Sequence, residues 1–107
     1  MSVRVEIEPT AKRELLALDA WWQEQRPSAA NRVMDEYERI LLLLSDAPQV
    51  GSPHRGKGVH DVRRIHMRGT PYIVFYHHEP GTSLATIVSV WSSMRKKAPT
   101  LAQLKKR

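Results

Sequence analysis

The chain has 107 residues, a net charge of +6, no cysteine, and no apolar run longer than Ile40 to Leu44. This is the length of one domain that can bury its own core; the composition excludes a disulfide framework, a thiol nucleophile and a cysteine-based zinc site, and the apolar run falls far short of the ~20 residues that span a bilayer. Residues 1–50 carry six basic and nine acidic side chains, whereas residues 51–107 carry eleven basic ones against only Asp61 and Glu79.

Residues 3–8, Val-Arg-Val-Glu-Ile-Glu, alternate with period two and predict a half-buried strand with Val3, Val5 and Ile7 inward. The charged alternation is unlike a signal peptide, so a cytoplasmic domain is expected. Pro9 stops the strand, and Thr10 is expected to cap a helix. Ala11, Leu15, Leu18 and Trp22 then form one helical stripe, with Trp22 expected in the core and Trp21 on its flank. Arg26-Pro27-Ser28 breaks this helix, with Ser28 the expected cap of the next. Val33, Tyr37, Ile40 and Leu44 repeat the helical spacing, widened by Met34 and Leu41. So short a break folds the two helices back as an antiparallel hairpin.

Asp46-Ala47-Pro48 ends the second helix. Gln49 to His60 has the composition of a loop, with Gly51, Pro53, Gly56 and Gly58 beside His54, Arg55, Lys57 and His60. Three strands are predicted next: Val62–Arg68, Tyr72–His78 and Leu84–Trp91. The turn signals Gly69-Thr70-Pro71 and Glu79-Pro80-Gly81-Thr82 separate them and make an antiparallel meander. A basic tail of about residues 96–107 closes the chain.

The order β-α-α-β-β-β is an α+β fold over residues 1–107, a single domain. It comprises an N-terminal strand, an antiparallel helix hairpin, then a three-stranded antiparallel meander, forming one four-stranded sheet. The first strand must pair with a later one to satisfy its backbone. The hairpin covers one face of the sheet, and the other is left to solvent or to a partner.

Alternation along the strands sorts the charged residues by face. Arg64, His66 and Arg68 share a face with Val62, whereas Arg63 goes with Ile65 and Met67. Tyr72, Val74, Tyr76 and His78 share a face of the following strand. An open face carrying arginine, histidine and tyrosine together is therefore expected, near Lys57 and the Arg95-Lys96-Lys97 run. A basic field concentrates anionic partners, whether nucleic acid or an acidic protein. Cutting RNA through its own 2′-hydroxyl needs a base, a cation on the phosphate and an acid for the leaving oxygen. Arginine meets two phosphate oxygens with its planar fork, and tyrosine can donate a proton or stack on a base. The same tyrosines could equally be core residues, and the same arginines solvated. His77 and His78 are adjacent on a strand and point apart, so they cannot share a metal ion. No metal or other cofactor is expected. The glycine-bearing loop lacks the spacing of a phosphate-binding motif.

Taken together, the chain resembles the RelE/ParE superfamily of toxins from bacterial type II toxin–antitoxin modules. The matching pieces run from residue 3 to residue 97. They are the leading strand, the Ala11, Leu15 and Leu18 helix with its aromatic pair, Pro27-Ser28-Ala29-Ala30, and the Leu44, Pro48 and Gly51 exit. Val62-Arg63-Arg64, Tyr72-Ile-Val-Phe-Tyr76 and Val88-Ser-Val-Trp91 running into Arg95 complete the set. The resemblance implies a toxin silenced by an antitoxin whose flexible segment wraps it. It implies one of two targets: RelE-like members cleave mRNA on the ribosome as metal-independent endoribonucleases, and ParE-like members poison DNA gyrase. Carried over onto this sequence, it implies Lys57, Arg63, Arg64, Tyr76 and Arg95 as catalytic candidates. Arg55, His66, Arg68, Tyr72, Lys96 and Lys97 are candidates for binding RNA or another target. No tyrosine follows Tyr76, and Trp91 stands where a histidine often ends the last strand. The helix hairpin and Ala29-Ala30 look more ParE-like. The alternative is a non-toxic small RNA-binding domain using the same basic face.

Overall fold

The computed structural model describes residues 2–54 and 62–94. Strand β1, Arg4–Ile7, leads directly into helix α1, Pro9–Gln25. Pro9 sits in the first turn, where a helix does not need the missing N–H and the fixed φ suits it. The cap position therefore falls to Glu8, and Thr10 lies inside the helix, where its hydroxyl accepts a hydrogen bond from Arg13. This corrects the expected cap. Ser28 is likewise not a cap: Pro27–Ala29 form a single 3-10 turn, and helix α2 spans Arg32–Asp46. The Trp22 indole N–H donates to the Ala29 carbonyl at 2.8 Å, fixing the connection between the helices.

Strand β2, Ser52–Pro53, follows α2, then β3 (Val62–His66), β4 (Tyr72–His78) and β5 (Leu84–Ser92). The sheet has five strands in the order β1-β5-β4-β3-β2, one more than expected. The extra strand is the two-residue β2, too short and too rich in turn formers to be legible as one. It pairs antiparallel with β3, Ser52 opposite Arg64 and Pro53 opposite Arg63. β1 runs parallel to β5, because the helix hairpin returns the chain to the same end of the sheet before the meander begins. Gly69 turns β3 into β4 at φ +74°, and a Cβ there would lie 2.5 Å from Arg32 Nη1.

The helices cover one face of the sheet. Ala11, Leu15, Trp22, Val33, Ile40 and Leu44 pack there against Met67, Tyr72, Val74, Tyr76, Ile87 and Val90. Glu14 adds a polar tie: its Oε1 accepts from Ser89 Oγ at 3.0 Å and from the Val90 N–H at 3.2 Å. These two donors lie just past an irregularity in the ladder, where Phe75 faces Ser89 and Tyr76 faces Ile87, leaving Val88 as the extra residue. The far face is not left bare. Val62, Phe75 and Val88 form a second, smaller buried cluster there, with Ile73 and Trp91 packed against it.

Candidate functional site

The register of β3 against β4 decides which predicted residues meet. Arg63 lies opposite Tyr76, Arg64 opposite Phe75 and His66 opposite Ile73. Arg63 therefore shares the helix-covered face with Tyr76, while Arg64 and His66 lie on the far face with the Phe75 cluster. Tyr72 is only 2% exposed and Tyr76 is fully buried, both in the core beneath the helices. The expected face bearing arginine, histidine and tyrosine together does not form. Alternation showed which residues of a strand go together; pairing put the tyrosines and Arg64 on opposite sides.

Tyr76 and Arg63 instead meet at Gly51. The Gly51 N–H donates to the Tyr76 hydroxyl at 2.8 Å, and Arg63 Nη1 donates to the Gly51 carbonyl at 2.7 Å. A Cβ on Gly51 would lie 2.7 Å from both Tyr76 Cε1 and its hydroxyl, so only glycine lets the backbone approach this closely. Burial pushes the Tyr76 phenol up, against smaller lowering by the Gly51 N–H and the Arg63 charge. Burial alone pushes Tyr72 up. Both hydroxyls are thus poorer acids than a free tyrosine.

The remaining polar candidates are spread along the sheet. His66 is exposed, but its Nε2 donates to the Thr70 carbonyl at 2.6 Å, folding the ring back on its own turn. Arg64 is exposed on the far face, beside its neighbour in register, Phe75. Arg68 is exposed past the end of β3, and its backbone N–H donates to Glu36 Oε1 at 2.7 Å. On the same strand as Tyr76, His78 is buried and points to the helix side. Its Nδ1 accepts from Gln49 Nε2 at 2.5 Å, and its Nε2 donates to the Thr82 carbonyl at 3.1 Å. His54 packs edge-on against Phe75 with ring centroids 4.9 Å apart. Arg55, Lys57, Arg95, Lys96 and Lys97 lie outside the described residues. Gly51 and Gln49 are the residues to which the sequence pattern assigned no place in the site; only their contacts with Tyr76 and His78 reveal it.

A second feature lies at the other end of the sheet. Leu18, Trp21, Pro71, Tyr72, Ser92 and Met94 line an apolar groove of about 400 Å³. Tyr72 meets Trp22 edge-on on its core side, centroids 6.1 Å apart, so its ring joins the core to the groove. The Ser93 N–H donates to the Pro71 carbonyl at 2.6 Å, holding the exit of β5 against the start of β4. Trp21 is 53% exposed and Met94 80% exposed, whereas Trp22 is buried.

The sequence model described as the ParE toxin of the type II toxin–antitoxin system parDE matches residues 5–97. The chain belongs to that family. It is the toxin of a type II toxin–antitoxin system, within the RelE/ParE superfamily. No curated protein matches it by sequence. Among solved structures, a chain of the chromosomal ParDE toxin–antitoxin system from P. aeruginosa is similar at TM-score 0.66 and 13% identity, over 85% of this chain and 96% of that one. The free E. coli toxin RelE, as a variant, aligns at TM-score 0.65 and 17% identity, over 100% of this chain and 98% of that one. A chain of the RelBE2 toxin–antitoxin complex from Mycobacterium tuberculosis aligns at TM-score 0.62 and 24% identity, over 86% and 92%. At these identities the likeness is one of fold.

Proposed function

We propose that this toxin arrests growth by inhibiting DNA gyrase in the cytoplasm rather than by cutting mRNA. The observation that carries this reading is the withdrawal of Tyr72 and Tyr76 into the core beneath the helices. Ribonuclease chemistry of the kind the strand pattern suggested would need a tyrosine, as acid or stacking ring, beside the arginine that holds the phosphate. Arg64 has no tyrosine from β4 on its face; its neighbour there is Phe75, within an apolar cluster. An arginine at the rim of an apolar, partly aromatic surface suits recognition of a protein. The family match, to the ParE branch, supports the same target. In this reading Arg64, Arg68 and His66 contribute target contacts from the sheet, joined by Arg55, Lys57, Arg95, Lys96 and Lys97. Arg63 and Tyr76 hold Gly51 and do not act on a substrate.

The test is controlled expression with DNA state and transcripts followed separately, paired with a supercoiling assay on purified gyrase. DNA-damage signalling with intact mRNA, and loss of supercoiling, is the expected result. Codon-linked mRNA cleavage without effect on gyrase would replace this target with the ribosome. The absence of any growth defect would remove the toxin reading itself and leave a binding module. No helix among the described residues is long and apolar enough to cross a membrane.

A further inference from the structure

Strand β2 is an edge of the sheet and the shortest of its strands. Of its two residues, Pro53 brings no N–H to the ladder, so pairing alone holds it weakly. Two neighbouring residues of β4, which point to opposite faces, secure it from both sides. On the helix face the Tyr76 hydroxyl accepts from the Gly51 N–H, and Arg63 Nη1 donates to the Gly51 carbonyl. On the far face the His54 ring meets Phe75 edge-on, with centroids 4.9 Å apart. The His54 N–H also donates to the Val62 carbonyl at 2.9 Å. The register agrees: Pro53 falls on the helix side with Arg63, and Ser52 and His54 fall on the far side with Arg64 and Val62.

His54 is thereby set next to Arg64. Phe75 lies across from Arg64 and touches His54, so the guanidinium and the imidazole border the same ring. His54 is half-buried and Arg64 is exposed. Strands β2, β3 and β4 contain no aspartate or glutamate. At the opposite edge, on β1, Glu6 is already paired with Arg4 at 3.7 Å. A guanidinium and an imidazole around an aromatic ring, with no acid on these three strands, are complementary to a carboxylate on a partner. We propose that His54 is a target-contact residue that receives, together with Arg64, an acidic side chain of gyrase, and that Tyr76, Arg63 and Gly51 are positioning residues acting through His54. The proposal rests on the gyrase reading and names a contact within it and the chemistry that contact meets.

The experiment measures the affinity of purified full-length toxin and its variants for purified gyrase, beside supercoiling inhibition and growth arrest. Melting followed by circular dichroism checks that each variant is folded at the assay temperature. His54→Ala should weaken binding about tenfold, the loss expected for a hydrogen bond to a charged group. His54→Phe, which keeps a ring on Phe75, should show the same loss. His54→Glu should weaken binding at least about tenfold beyond His54→Ala, because like charges then face each other. Leu42→Ser, on the exposed side of α2, should stay within about twofold. Tyr76→Phe should weaken binding several-fold on its own and add nothing to His54→Ala, as coupled residues do. A merely structural Tyr76 would lower the melting temperature and leave gyrase affinity alone.

Folded His54→Ala and His54→Phe variants that bind and inhibit gyrase like the wild type would overturn the contact and leave the gyrase reading intact. His54→Glu binding as well as His54→Ala would overturn the acidic partner. Additive losses in the Tyr76→Phe, His54→Ala double variant would overturn the positioning role. A wild type that arrests growth without binding gyrase would instead overturn the gyrase reading. Relief of that arrest by folded His54→Ala would then keep His54 as a contact for another target, and its persistence would overturn the contact as well.

Discussion

The two faces of the sheet are built from the same strands and do different work. On the helix side, large side chains from both helices and four strands form one continuous core that reaches from Leu44 to Trp22. On the far side, Val62, Phe75 and Val88 form a small core of their own, bordered by the exposed Arg64 and His66. The helix face takes in Tyr72, Tyr76 and His78, with Gly51 serving the Tyr76 hydroxyl and Gln49 and Thr82 serving the His78 ring. The far face keeps its arginine in solvent. The difference teaches that a polar group on a strand is recruited for structure or left for a partner according to the face on which pairing places it.

The comparison breaks most visibly at Tyr76. Tyr76→Ala should destabilise the domain by about 3–5 kcal/mol, the range for truncating a buried aromatic, measured by urea unfolding. Gly51→Ala comes next. Its added methyl must displace the Tyr76 ring, for an expected loss of about 1–3 kcal/mol and a lower melting temperature. Tyr76→Phe keeps the ring but leaves the buried Gly51 N–H without its acceptor, and should lose about 1–2 kcal/mol. A ribonuclease using this hydroxyl would instead lose cleavage with little change in stability. On the far face Arg64→Ala should change stability by no more than about 0.5 kcal/mol and yet relieve toxicity, scored by growth after induction. Full toxicity in a folded Arg64→Ala variant would show that the target does not use this face.

The smallest effect sharpens the contrast at the β3–β4 turn. Glu36 accepts from Arg39 and from the Arg68 N–H. Chiefly the Arg39 hydrogen bond, with the Arg68 N–H assisting against burial, holds its carboxyl below the usual value of 4.5. A carboxyl lowered on folding contributes stability that is fully present above its unfolded value. That contribution is lost as pH falls through the folded one. The stability difference between wild type and Glu36→Gln should therefore be under about 1 kcal/mol at pH 7 and shrink as pH falls below 4.5. A difference that grew on acidification would contradict this assignment.

Most of the architecture was legible in the chain itself. Val3-Arg-Val-Glu-Ile alternates, Ala11 to Trp22 and Val33 to Leu44 keep helical spacing, and the stretch from Tyr72 to His78 stands between two turn signals. Each is a local pattern with a local physical cause, and each became the expected element. The helix starts were less legible. Pro9 takes the first turn of α1 and moves the cap to Glu8, and Pro27 begins a 3-10 turn that delays α2 to Arg32. Ser52–Pro53 was invisible as a strand because β3 alone makes it one.

The candidate site divides in the same way. Sequence by itself determined the fold class, the concentration of positive charge after residue 50, and which residues of each strand point the same way, because these depend on composition and on the period of the backbone. Only the tertiary structure decided that Arg63 stands across from Tyr76 and Arg64 across from Phe75, that Gly51 closes on a buried hydroxyl, and that Trp21 borders a groove while Trp22 is core. Those outcomes depend on the pairing of segments distant in the chain. Shifting such a pairing by one residue would exchange the two faces, and no local pattern records it.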